Sequence, residues 1–138
     1  MVSAEDLEDV LEILGISTFG SSDRLSYLPV GQWISGLKLA VRWAYDGLRD
    51  TAIFYLNQNQ EFCSNPVQQI LYGRDYGVEQ WLIDGCSHFV LRSHGPREQE
   101  AIPLGMTTTI ALYDMRESMS ISGFNLKAAI KSTFEDYL

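Results

Sequence analysis

The side chains with the most obvious chemistry in this 138-residue chain are two cysteines and two histidines. Cys63, Cys86, His88 and His94 are zinc-ligand types, but their spacing matches none of the usual zinc-binding patterns. Cys86 falls on the apolar face of a predicted helix beside Phe89, and His94 falls in a predicted turn. We therefore expect a buried thiol, two surface imidazoles and no bound metal.

Cys86 and His88 also form the one pairing that resembles a nucleophile with a general base. Residues two apart on a helix point to different faces, so these two side chains should not meet. Acidic pairs such as Asp46 with Asp50 fit solvated faces and helix caps, because carboxylates act as acids or bases only in clefts that shift their pKa. The sequence contains no phosphate-loop, dinucleotide or hydrolase motif. We predict that the chain is not an enzyme and holds no cofactor.

Helical spacing of apolar residues predicts three helices in the first 60 residues. The first spans about residues 4–14, and a long surface connection follows over residues 16–31, which are rich in Ser, Gly and Pro. The second helix begins near Trp33. Asp46 is a candidate cap for the third, which ends in a polar run at residues 57–60.

The second of these helices is apolar on two sides. Leu39 and Trp43 lie four residues apart, roughly opposite the face that carries Trp33 and Leu37. We expect a central helix, with Leu39 and Trp43 covered by the protein's own helices. The alternative is that they face a partner, which makes them the candidate partner-binding residues.

The second half of the chain contains clearer sequence signals for the starts and ends of helices. Asn65 followed by Pro66 predicts a helix start, and Gly77 predicts its end. Pro103 and Gly105 are expected to interrupt the helical pattern, and Asn125 is a candidate cap of the last helix. Further helices are predicted over residues 78–90, over 97–102 as a short turn, over 106–119 with Thr108, Ala111, Leu112 and Met115 inward, and from Leu126 onwards.

These patterns predict an all-α fold, a bundle of about 6–8 helices arranged as successive helical hairpins. Residues 1–138 are expected to form a single helical domain. Two runs have strand-like composition, residues 51–55 and 107–112, and both fit helices better in their context.

Composition narrows the class of partner. A formal net charge of −8 repels the phosphate backbone, so a nucleic acid is not expected as partner. No run of 18 apolar residues and no secretory signal pattern occurs, so no membrane association is expected and the predicted location is cytoplasm or nucleus. Two cysteines without C-x-x-C spacing fit a reducing compartment.

Several short blocks in order resemble the helical segment that follows the BTB domain in a group of mushroom-type (basidiomycete) fungal proteins. They are WISGLKLA (33–40), NPVQQILYGRDYGV (65–78), WLIDG (81–85), QEAIPLG (99–105) and YDMRE (113–117). The resemblance covers about residues 33–117. In that family the BTB domain mediates dimerisation and partner recruitment, and the helices behind it extend the adaptor, sometimes towards cullin-type ubiquitin ligases. The resemblance therefore implies a helical adaptor segment.

A packed helical scaffold without convergent reactive groups favours a non-enzymatic protein–protein interaction module. Two alternatives stay open. One is a self-associating structural or regulatory protein, suggested by the two-sided helix, and the other is a helical protein that binds a small molecule between its helices.

Overall fold

The computed structural model describes residues 29–138, in which every regular element is helical, so the predicted all-α fold is confirmed. The two runs of strand-like composition lie inside helices. The elements are α1 (Val30–Arg42), α2 (Asp46–Gln58), α3 (Gln60–Cys63), α4 (Pro66–Tyr76), α5 (Glu79–Leu91), α6 (Glu98–Leu104), α7 (Met106–Ser118), α8 (Leu126–Thr133) and a 3-10 turn (Glu135–Tyr137).

Two predicted features at the start of the chain lie wholly or partly outside the residues that the structure describes. The predicted helix over residues 4–14 and residues 16–28 of the predicted connection lie outside the described residues. Val30 and Gly31 were expected in that connection, but they belong to α1. The carbonyl oxygen of Pro29 accepts the amide of Gln32 at 3.1 Å, so the helix starts directly after this proline.

Tertiary contacts divide the chain into two compact units, with the boundary between Ser64 and Asn65. The single domain over residues 1–138 remains a prediction.

In the first unit, α1 and α2 pack as a helical hairpin. Trp33 of α1 stacks on Tyr55 of α2 with ring centroids 4.9 Å apart and planes 10° from parallel. The side chains of Trp33, Leu37, Leu48, Leu56 and Phe62 are buried. Each such burial stabilises the fold by about 1.5–3 kcal/mol relative to exposure.

The corner of this hairpin is a Schellman motif. The amide of Tyr45 donates to the carbonyl oxygen of Ala40 at 2.8 Å, and that of Ala44 donates to Val41 at 3.4 Å. Ala44 has φ 54°, a left-handed conformation normally taken by glycine. Because Tyr45 closes this motif, α2 begins at Asp46, which lies in the first helical turn and is not the predicted cap.

In the second unit, α4 and α5 form a closely packed hairpin. Asn65 caps α4, since its Oδ1 accepts the amide of Gln68 at 3.2 Å, and Gly77 ends α4 with φ 67°. Both signals had been predicted. Gly85 allows the close approach, because a Cβ there would lie 2.9 Å from the carbonyl oxygen of Pro66.

The remaining helices complete the core of this unit. The chain folds from α6 into α7 at Gly105, and α5, α7 and α8 pack together. The predicted interruption at Pro103 is wrong, since this proline lies inside α6, which ends one residue later at Leu104, whereas Gly105 does end the helix. Asn125 caps α8 as predicted, accepting the amide of Ala128 at 3.1 Å. The core comprises Ile70, Leu82, Cys86, Phe89, Val90, Leu104, Leu112, Met115, Ile130 and Phe134.

Candidate functional site

Leu39 and Trp43, the two residues predicted as partner-binding, lie in different environments. Leu39 is fully buried, as expected, whereas Trp43 is 57% exposed. The expected burial of Trp43 is wrong, because α1 ends at Arg42 and every residue of the corner over 41–47 is exposed. Of the two side chains, only Trp43 presents surface to a partner.

Cys86 and His88 point to different environments, as their spacing predicts. Cys86 is buried in the core of the second unit and His88 is exposed. Burial raises the pKa of the Cys86 thiol to about 12, because the thiolate would lose its hydration. The thiol is therefore protonated at neutral pH and is a poor nucleophile.

The other two residues of these types make local backbone contacts. The thiol of Cys63 donates to the carbonyl oxygen of Asn57 at 3.1 Å. His94 is half-buried, and its Nδ1 donates to the carbonyl oxygen of Gly95 at 3.1 Å. In the part of the chain that the structure describes, no three His, Cys, Asp or Glu side chains are grouped as metal ligands.

The second unit carries an apolar groove on α6 and α7. Ile102, Met106 and Ile110 line it, with exposed fractions of 74%, 79% and 54%. Ile102 belongs to α6 and Met106 and Ile110 belong to α7, so the groove lies across the α6–α7 corner. With Ala101 and Thr109 they enclose about 390 Å³. Large apolar side chains grouped in this way are characteristic of binding surfaces rather than of ordinary exposed surface.

An acidic side chain lies at the groove. Glu98, at the start of α6, lines it directly. Asp114, one helical turn after Ile110 on α7, is exposed and lines a different depression between α7 and α8. Arg116, also on α7, instead directs its guanidinium at the end of α5, where it donates to the carbonyl oxygen of Phe89 at 2.8 Å. The groove therefore combines an apolar floor with one acidic side chain, Glu98.

A polar cluster in the 92–97 connection fixes α6 next to the end of α5. The guanidinium of Arg92 makes two hydrogen bonds to the Glu100 carboxylate, at 2.6 and 3.1 Å, and a third to the carbonyl oxygen of Gly95 at 3.0 Å. The hydrogen bond from Arg92 is the main cause that lowers the pKa of Glu100. The hydroxyl of Tyr113 donates to the carbonyl oxygen of Pro96 at 2.6 Å, which ties α7 to the same connection.

Sequence reasoning did not identify this groove, although a signal was present. It assigned the inward face of α7 correctly, since Thr108, Leu112 and Met115 are buried and the half-buried Ala111 packs against the core. Met106 and Ile110 repeat at helical spacing on another face of that helix, and this second apolar face was not interpreted.

Comparison with known proteins identifies no relative. No family model matches the chain, and neither a curated protein nor a solved structure matches it significantly. Among the helices of residues 29–138, none is long and apolar enough to cross a membrane.

Proposed function

We propose that this protein is a non-enzymatic interaction module and that the groove of Ile102, Met106 and Ile110 binds an amphipathic helix of a partner protein. The observation that carries the proposal is the exposure of these three apolar side chains along one groove. A helix laid into a groove inserts apolar anchors spaced three to four residues apart.

Charge defines the partner further. The negative side chain of Glu98, which lines the groove, favours a helix whose apolar anchors are flanked by Lys or Arg. The net charge of −8 acts in the same direction over longer distances and speeds encounter with a basic partner.

The adaptor role is part of the same proposal. Its support is the sequence resemblance to helical segments that follow BTB domains, together with the groove. Trp43 is a second candidate contact, in the first unit, because an exposed aromatic side chain is a common anchor of protein interfaces. We propose the cytoplasm or nucleus as the compartment, supported by two cysteines without a disulfide pattern.

The test uses a synthetic helical peptide with Leu at three positions four residues apart and Lys at both ends. Titrated into the ¹⁵N-labelled protein, it should shift the amide signals of α6 and α7 saturably. Ile110→Glu should weaken binding at least about tenfold, because it places a charge in the apolar floor. Ile121→Glu is the matched control, since Ile121 is 61% exposed and lies outside the groove, and it should leave the affinity unchanged.

A peptide with Glu in place of the flanking Lys should bind more weakly than the Lys peptide. Equal binding of both peptides, or equal binding by Ile110→Glu and wild type, would contradict the proposal. Light scattering of the protein alone gives a further outcome. If the protein is a dimer and Ile110→Glu converts it to a monomer, the groove is occupied by a second copy of the chain. That result would replace the proposed partner helix with self-association.

A further inference from the structure

A second cavity lies on the other side of Met106, where the start of α7 meets the end of the chain. It encloses about 280 Å³. Its polar rim comes from Arg74, Thr107 and Thr108, and its apolar wall from Leu104, Phe134 and Tyr137. All of these residues belong to the second unit.

The start of α7 supplies amide donors that the protein does not use. No described group accepts the amides of Met106, Thr107 or Thr108; the first helical hydrogen bond runs from Thr109 to Gly105 at 3.0 Å. Gly105 precedes the helix and has no side chain to cap it, and no acidic residue occurs in the first turn. The positive end of a 13-residue helix therefore faces the cavity without a counter-charge.

Thr108 is an independent indication of a ligand. It is 7% exposed and lines the cavity, yet its hydroxyl makes no hydrogen bond to any described residue. Its hydroxyl oxygen is not fully buried and opens into the cavity, where it can donate a hydrogen bond to a bound acceptor.

Arg74 adds a cation with unused donors. Its side chain is 23% exposed, and its Nε lies 3.7 Å from Oδ1 of Asp75, which is too long for a hydrogen bond. The guanidinium carbon lies 5.8 Å from the ring centre of Tyr137. No described acceptor receives its N–H groups. Glu135 and Asp136, in the turn that follows α8, are exposed and do not line the cavity.

We propose that this cavity binds a phosphate group carried on an organic molecule, a phosphate monoester. Helix-terminal amides, a hydroxyl and a guanidinium are donors suited to phosphate oxygens, and arginine can hold two of those oxygens at once. The apolar wall leaves room for the group that carries the phosphate. This site uses donors that the apolar groove lacks, so the two proposals succeed or fail separately.

The test is a titration of the ¹⁵N-labelled protein with phenyl phosphate and with inorganic phosphate, against sodium chloride at matched ionic strength. Saturable shifts are expected at the amides of Gly105, Met106, Thr107 and Thr108, with phenyl phosphate binding more tightly than inorganic phosphate. Arg74→Gln should weaken binding at least about tenfold. Lys127→Gln removes an equal charge from α8, outside the cavity, and should bind like wild type.

Thr108→Val separates binding from structure. It should weaken phenyl phosphate binding several-fold because a hydrogen-bond donor is lost, while the unliganded protein should melt close to the wild-type temperature because valine keeps the shape of the side chain. Two results would overturn the proposal: no saturable shift at the start of α7 with either anion, or equal affinity in wild type and Arg74→Gln. A phosphotyrosine peptide as a third probe distinguishes the source. Tighter binding of this peptide than of phenyl phosphate assigns the phosphate to a protein side chain, and equal binding assigns it to a small molecule.

Discussion

The α1–α2 and α4–α5 hairpins end their first helices with the same backbone geometry but different residues. The left-handed position is Ala44 in the first hairpin, with φ 54°, and Gly77 in the second, with φ 67°. In the first corner the neighbouring aromatic side chains are exposed, Trp43 by 57% and Tyr45 by 53%. In the second, Val78 is buried, and a Cβ on Gly77 would lie 3.3 Å from the carbonyl oxygen of Tyr137.

The glycines inside the helices of the two hairpins also differ in the space around them. Gly47 of α2 has open space, since the nearest atom to a Cβ there is Cε2 of Tyr45 at 3.8 Å. Gly85 of α5 has none, since its Cβ would lie 2.8 Å from Cγ1 of Ile70. A glycine within a helix is therefore replaceable where the neighbouring helix is distant and required where that helix approaches closely.

The largest expected effect contrasts the tryptophans of the two hairpins. Trp81 of α5 is 1% exposed, so Trp81→Ala should lower the free energy of unfolding by about 3–5 kcal/mol. Trp43→Ala should lower it by less than about 0.5 kcal/mol, because the side chain is mostly exposed. Urea unfolding of both variants beside wild type measures the difference. Similar losses in the two variants would mean that the corner of the first hairpin is covered after all.

An intermediate effect is expected from adding one methyl group to each hairpin. Gly85→Ala should destabilise the protein by about 2 kcal/mol, since the backbone oxygen of Pro66 must move to admit the Cβ. Gly47→Ala should instead stabilise it by up to about 1 kcal/mol, because alanine is the better helix former and meets no close contact. Thermal unfolding detects both signs. A stabilising Gly85→Ala would refute the close approach of α4 and α5.

The smallest effects concern the two left-handed positions and should have opposite signs. Gly77→Ala should cost about 1–2 kcal/mol, because a Cβ is strained at positive φ. Ala44→Gly should stabilise by up to about 1 kcal/mol by removing that strain. Ala128→Gly, on an exposed position of α8, is the control for the general cost of glycine in a helix and should destabilise. Loss of stability in Ala44→Gly would contradict the strain at that corner.

Local signals in the sequence were sufficient for much of the fold. Asn65 and Asn125 cap helices as predicted, and Gly77 ends one, because each acts on backbone groups only a few residues away. Asp46 failed as a cap because the preceding helix ends in a motif that already includes Tyr45. That motif was hidden from prediction, since alanine is not the residue that usually marks it.

The candidate sites required the tertiary structure. Helical spacing shows that residues share a face, as for Ile110 with Met106, but it does not say whether another helix packs against that face. The same limit applies to Trp43, whose apolar character is visible in the sequence while its exposure depends on where the chain turns. The phosphate cavity depends on side chains 34 residues apart, Arg74 and Thr108, which only the packing of α4 against the α6–α7 corner brings together. Sequence alone therefore determined most of the described helices, because their signals are local, and the packing of helices decided which apolar and polar groups were left for ligands.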